Sequence, residues 1–253
     1  MSDLPAAHPM RLVEVLVGQP QTRIDPTAKR DPEWTSAIWK SPVEGPVAIG
    51  PLGLAGDAVA NPQAHGGIDK AVLAYSVDWA GAWQSERPGM ETAPGAFGEN
   101  LAVQGADETT VCLGDRWIIC HQADSHQADS HQADSHQADS GDGDAVELEV
   151  SHPRQPCWKL ARRHQMPDLP KRTIATARTG WYLRVLGEGT VAAGASIELA
   201  ARPHPDWPLD RVAAVFYGLG VARNDVDPLA RHEAAVDELR SLAVLAEAWR
   251  EAL

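Results

Sequence analysis

The sequence predicts a mainly β (α+β) fold, a barrel of short strands with a small three-helix appendage at the C-terminus, and three observations carry the prediction. Short β-branched or apolar segments recur from residue 11 to residue 199, divided by Gly, Pro and Asp. Their connections are irregular in length, which suits a barrel. After Pro208 the texture changes to Ala, Leu, Arg and Glu at helical spacing.

In chain order, R-L-V-E-V-L-V at 11–17 reads as the first strand, and 20–46, with its prolines, charges and the stretch W-K-S-P-V-E-G-P, reads mostly as loop and hairpin. Further strands are expected at 47–49, 70–76, 101–103, 110–119, 146–150, 181–185 and 196–199. Between them the unit H-Q-A-D-S occurs four times without variation over 121–140, followed by Gly141-Asp142-Gly143-Asp144. A period of five matches neither helix nor strand, so His121, His126, His131 and His136 would share no face. The central residue that a pentapeptide solenoid would stack inside is Ser here. The expectation is a low-complexity, flexible hairpin loop. Its His and Asp are competent ligands for a transition metal, but a duplication tolerated at a loop tip is the plainer reading, because loop extension costs little stability.

The tail predicts helices at 211–218, 228–237 and 239–252, with Asp210 and Asp227 as N-caps and Pro228 at the first helical position. Leu242, Leu245 and Trp249 form one apolar stripe, a surface on which a homodimer could form. The expected organisation is therefore a barrel domain over 1–201, interrupted by the repeat at 121–140, then an R-P-H-P-D-W-P linker at 202–208 and a three-helix extension over 209–253.

The chain carries 22 basic and 35 acidic residues, a formal charge of −13 with His neutral, which repels a phosphate backbone over most of the surface and argues against duplex nucleic acid as a partner. Its best early apolar run, Leu12 to Val17, is short and contains Glu14, so neither a membrane span nor a secretory signal is expected, and the expected location is the cytoplasm. Cys112, Cys120 and Cys157 are odd in number and form no C-x-x-C pair, which favours free thiols in a reducing compartment. Three scattered cysteines cannot hold an iron–sulfur cluster, and the sequence shows no flavin or haem signature.

Three segments place flexible backbone beside polar side chains. In A-H-G-G-I-D-K-A-V, Gly66 and Gly67 free amides for an anion between His65 and Lys70, or form a plain turn into the next strand with Asp69 capping it. In G-A-F-G-E-N-L, Glu99 and Asn100 either position a polar substrate or satisfy turn amides at a barrel corner. In S-H-P-R-Q-P-C-W-K-L, two prolines extend the backbone and set Cys157 between Arg154 and Lys159, whose charges favour a thiolate suited to a soft metal or to nucleophilic work. The alternative is a cysteine acting as a small apolar residue. Cys112 fits that description, and Cys120 merely abuts the repeat.

Taken together, Gly53-Leu54-Ala55-Gly56-Asp57, His65-Gly66-Gly67 through Lys70-Ala71-Val72, Phe97-Gly98-Glu99-Asn100, Arg154-Gln155-Pro156-Cys157-Trp158-Lys159-Leu160, and Gly180-Trp181-Tyr182 followed by Arg184-Val185 resemble, in order, the MOSC domain, the C-terminal module of molybdenum-cofactor sulfurases. The resemblance runs from about Arg11 to Ala201, and the tail is similar to the three-helix extension of the YiiM-like branch. It implies a MOSC-type β-barrel with a few helices and a molybdenum cofactor (molybdopterin) whose metal is held by Cys157. It also implies a reductase of N-hydroxylated compounds such as 6-hydroxylaminopurine and amidoximes. Within that reading Lys70, Arg154 and Lys159, with the turn at Gly66 and Gly67, would neutralise the cofactor's phosphate, His65 would donate to the reacting oxygen, and Glu99 and Asn100 would read the substrate. A separate flavoprotein would supply electrons. Two rivals remain: sulfur or acyl transfer with Cys157 activated by His152 or His164, and a carrier that binds the cofactor without reducing anything.

Overall fold

The computed structural model describes residues 9–28, 31–120, 145–219 and 226–253, with backbone alone at 226–228. The H-Q-A-D-S repeat, its four histidines and the side chain of Asp227 lie outside the described residues.

The strands, in chain order, are β1 (Met10–Val17), β2 (Gln21–Ile24), β3 (Glu33–Ser36), β4 (Ser41–Pro42), β5 (Val47–Gly50), β6 (Gly53–Leu54), β7 (Val72–Ser76), β8 (Leu101–Gln104), β9 (Arg116–Cys120), β10 (Val146–Pro153), β11 (Trp181–Gly187), β12 (Gly189–Val191) and β13 (Ser196–Ala201). Seven of them close a ring in the order β13-β9-β10-β11-β7-β8-β1, with β1 returning to β13 through Met10↔Ile197. The pairs are antiparallel except β7–β8, which is parallel. Closure removes the exposed edges that an open sheet of this size would present.

Alternation puts Val72 and Ala74, Leu101 and Val103, and Trp181 and Leu183 inside the barrel, all buried. Every residue of β7 is buried, because its other face meets a second apolar cluster. There Tyr75 stacks on Phe97 at 4.0 Å and accepts a hydrogen bond from Trp83 Nε1 at 2.7 Å. The cluster draws Trp83, Leu160 and Leu169 from three short helices, α2 (Ala80–Glu86), α3 (Trp158–His164) and α4 (Leu169–Ala175), which follow α1 (Pro62–His65) in the chain.

The strand expected over 110–119 begins only at Arg116. Over 107–115 the backbone donors are taken up otherwise: the amide of Thr109 by Asp107, that of Cys112 by Asp115, and those of Leu113 and Gly114 by the carbonyls of Trp207 and Val150.

The tail forms α5 (Leu209–Tyr217), α6 (Val226–Ser241) and α7 (Glu247–Ala252). Pro208, not Asp210, is the N-cap of α5, and Asp210 lies in its first turn and accepts from the amide of Arg211. The helix expected over 239–252 is broken, because the chain turns at 242–246 and the amide of Ala246 bonds the carbonyl of Ser151 on β10. The segment 202–208, expected as a linker, is packed: Arg202 pairs with buried Asp115 at 2.7 Å, and Trp207, 2% exposed, donates to Glu238 at 2.8 Å. Leu209, Val212, Leu239, Leu245 and Trp249 join the barrel's own core. Among the described residues no helix is long and apolar enough to cross a membrane.

Candidate active site

At one end of the barrel a cavity of about 340 Å³ opens between the turn after β6, the H-G-G turn, the residues preceding β8 and the segment that follows β10. That volume suits a small molecule or compact cofactor.

Strand β10 delivers the cysteine segment. The amide of Arg154 bonds the carbonyl of Gly180 at 2.9 Å, so the chain stays laced to the barrel as it leaves the strand. Cys157 then caps α3 with extended backbone, φ −108° and ψ 170°, and α3 is anchored by Leu160 in the second cluster. Cys157 is partly exposed and lines the cavity. Arg154 lines it too, only 6% exposed, and its buried Nη1 has no hydrogen-bond partner among the described residues. A buried guanidinium nitrogen left unpaired is costly, and an anion in the cavity would satisfy it.

The H-G-G turn forms the facing lip. Asn61 caps α1 through the amide of Ala64, and Lys70 Nζ reaches back to the carbonyl of Ala64 at 2.8 Å. Gly67 has φ +97°, a conformation costly for any other residue, and the space where a Cβ would point is empty to 4 Å, which leaves that backbone open to a ligand. Asp69 does not cap this turn. It accepts from Arg184 Nε at 2.6 Å instead. His65 is held down to about 4, first by burial and then by the charges of Lys159, Arg154 and Lys70, so its imidazole is neutral at neutral pH. Those three cations and His65 therefore share one electrostatic neighbourhood around the cysteine.

The sequence-predicted residues His65, Gly66, Gly67, Lys70, Asn100, Arg154, Cys157 and Lys159 all line this cavity. Glu99 does not. It is 2% exposed, and its oxygens accept from the amides of Gly95 at 2.6 Å and Phe97 at 3.0 Å, so its carboxylate is taken up by the turn. Asn100 lines the cavity with its amide already engaged: Oδ1 accepts from the amide of Leu73 at 3.1 Å, and Nδ2 donates to the carbonyl of Leu16 and to Asp57.

Sequence reasoning gave no role to Lys40 or Asp57, which also line the cavity. Lys40 Nζ lies 2.5 and 2.7 Å from the two oxygens of Asp57, which also accepts from the amide of Gly18 and from Asn100 Nδ2, both at 2.8 Å. A lone lysine inside Ala37-Ile38-Trp39-Lys40 was the available signal. Tyr182, its phenol pushed up chiefly by burial, completes this wall. The two histidines considered as activators of Cys157 are engaged elsewhere: His152 lies 1% exposed between Tyr182 and Trp249, with Nδ1 against the carbonyl of Pro153, and His164 meets the carbonyl of Ala96.

The MOSC domain family matches residues 61–198, which contain the H-G-G turn, the cysteine segment and strand β11. A protein of Gibberella moniliformis named "Reductase" is 37% identical over 194 residues, 76% of this chain but only 30% of that protein, so this chain spans less than a third of it. The uncharacterized protein YflK of Bacillus subtilis is 31% identical over 85% of this chain and 81% of its own length. Among solved structures, YiiM from Geobacillus stearothermophilus superposes with a TM-score of 0.67 at 32% identity, covering 96% of each chain. A β-barrel closed by seven strands, a cysteine at the head of α3 and a family match over more than half of the sequence together establish that this chain belongs to the MOSC domain family.

Proposed function

We propose that the cavity binds a molybdenum cofactor and that the protein is a reductase of small N-hydroxylated compounds, of the 6-hydroxylaminopurine or amidoxime type. The observation that carries the reading is the meeting of Cys157, the unpaired Nη1 of Arg154, Lys70, Lys159 and the open Gly67 backbone on one cavity. These residues fit the group. A thiol is a soft ligand suited to such a metal, and the cations with the glycine turn suit a phosphate. The reductase name of the fungal relative supports the reaction class.

When bound, the cofactor would supply the two-electron redox chemistry that removes oxygen from nitrogen. The chain's own part is to hold it. Cys157 would bind the metal, Arg154, Lys70 and Lys159 would neutralise the phosphate, and neutral His65 would offer one ring N–H to a reacting oxygen without adding charge. Electrons would come from a separate flavoprotein, and a reducing cytoplasm would keep Cys157 a free thiol.

The test expresses wild type and Cys157→Ser in a host that makes the cofactor and measures molybdenum and pterin content beside reduction of 6-hydroxylaminopurine by an artificial electron donor. The expected result is molybdenum and turnover in wild type and neither in the variant. Equal cofactor in both would remove Cys157 as the ligand, and bound cofactor without turnover under any donor would make the protein a carrier.

A further inference from the structure

Reduction of a hydroxylamine, R–NH–OH + 2 e⁻ + 2 H⁺ → R–NH₂ + H₂O, consumes two protons as the N–O bond breaks, so a cavity that performs it needs a proton donor. The residues around this one divide clearly. His65, held at about 4, carries no acidic proton to give at neutral pH. A guanidinium such as Arg154 does not release protons at all. Lys70, whose pKa burial also lowers, gives one donor to the carbonyl of Ala64 and, like Lys159, holds the phosphate in the proposed function, and the phenol of Tyr182 is pushed upward by burial. Cys157 is committed to the metal in the reading above.

Lys40 is left with no part in holding the cofactor. Its side chain is 7% exposed and lines the cavity, and among the described residues its ammonium meets only the two oxygens of Asp57. An ammonium has three N–H donors, so at least one is left without a partner among the described residues, beside the cavity. Asp57 is itself fixed by the amide of Gly18 and by Asn100, which holds the position of the ammonium from three segments of the chain. Burial lowers the pKa of Lys40, against the opposing charges of Asp57 and then Glu99. The shift makes the ammonium a readier proton donor than an exposed lysine.

From this geometry we infer that Lys40 is the proton donor of the cavity, with Asp57 as its positioning residue. Lys40 gives the proton that ends on the substrate nitrogen and is reprotonated from solvent. The second proton, also from solvent, leaves with the hydroxyl oxygen as water, and the two electrons come from a reduced flavin-class donor by way of the cofactor. The assignment rests on the reductase reading.

The experiment compares cofactor-loaded wild type with Lys40→Arg and Lys40→Met. Arg keeps the charge and a partner for Asp57 but cannot release a proton. If Lys40 is the donor, both variants keep molybdenum content while kcat falls by about 100-fold or more with little change in KM. Wild-type kcat declines as rising pH deprotonates Lys40, with Asp57 and Glu99 the charges that face it, and this limb is absent from Lys40→Arg. Independently of turnover, an isotope-labelled lysine resonance that is lost in Lys40→Arg should titrate below the ordinary lysine range in cofactor-free wild type. Near-normal kcat in Lys40→Arg, or an ordinary titration of Lys40, overturns the role. A wild type that holds cofactor yet reduces nothing overturns the reductase reading, and the role with it.

Discussion

Removing the carboxylate of Glu99 would strand the buried amides of Gly95 and Phe97, which bond no other acceptor among the described residues. Each buried donor left unmade costs about 1–3 kcal/mol, so Glu99→Ala should lower stability by about 3 kcal/mol. In urea unfolding the loss should appear alongside a proportional fall in both molybdenum content and activity. Activity lost with stability and metal intact would return Glu99 to the substrate. The buried histidines set a second expectation at this scale. His65 and His152 are both held at about 4 by burial, below the ordinary 6.5 of the unfolded chain. Between those values the unfolded chain binds protons that the fold refuses, so their contribution is complete above about 6.5 and is lost as pH falls toward 4. Glu108, pushed up to about 7 by burial between Trp79 and the amide of Gly180, runs the other way: its contribution is greatest below 4.5 and declines as pH rises to 7. His152→Phe keeps a ring between Tyr182 and Trp249 and removes one of the two histidine effects. Its melting temperature should therefore fall less than that of wild type between about pH 7 and about pH 5, the difference corresponding to about 2 kcal/mol. Identical slopes would place the acid sensitivity in other groups.

At the scale of elements, the barrel was legible because alternation is a local signal. Val72 and Ala74, or Trp181 and Leu183, point inward whatever lies across the sheet. The helices α2, α3 and α4 were not, since seven residues give barely two turns of period and their apolar residues bury against a second cluster that exists only once β7 is covered. The site divides along the same line. Arg154, Cys157 and Lys159 sit on one short segment with the H-G-G turn as a second, and both segments could be read directly. Lys40 and Asp57 are 17 residues apart and meet only through the fold, so neither announces the other. Glu99 was legible as a polar group in a turn, and only the hydrogen bonds show that the turn uses all of it.

For the whole molecule, the tail shares its interior with the barrel. Trp207, Leu209, Val212, Leu239, Leu245 and Trp249 all lie in the barrel's core, each at 2% exposure or less. At about 2 kcal/mol for each large apolar side chain buried, they contribute on the order of the net stability of an ordinary domain. A chain ended after Ala201 should therefore fail to give a cooperative thermal transition and should bind a hydrophobic dye. A sharp melt near that of the full chain would make the tail a separable domain. The ring has one further consequence. Ile119, near the end of β9, pairs directly with Val146, at the start of β10, and Arg154 and the cavity follow at the opposite end of that strand, roughly 25 Å away at the ordinary strand rise. Whatever number of five-residue units the gene writes between these two strands, the ladder has already brought their ends together. A variant with two of the four units deleted should therefore keep the Ile119–Val146 pairing, read as an unchanged melting temperature, and an unchanged molybdenum content would show that the cavity does not depend on the repeat.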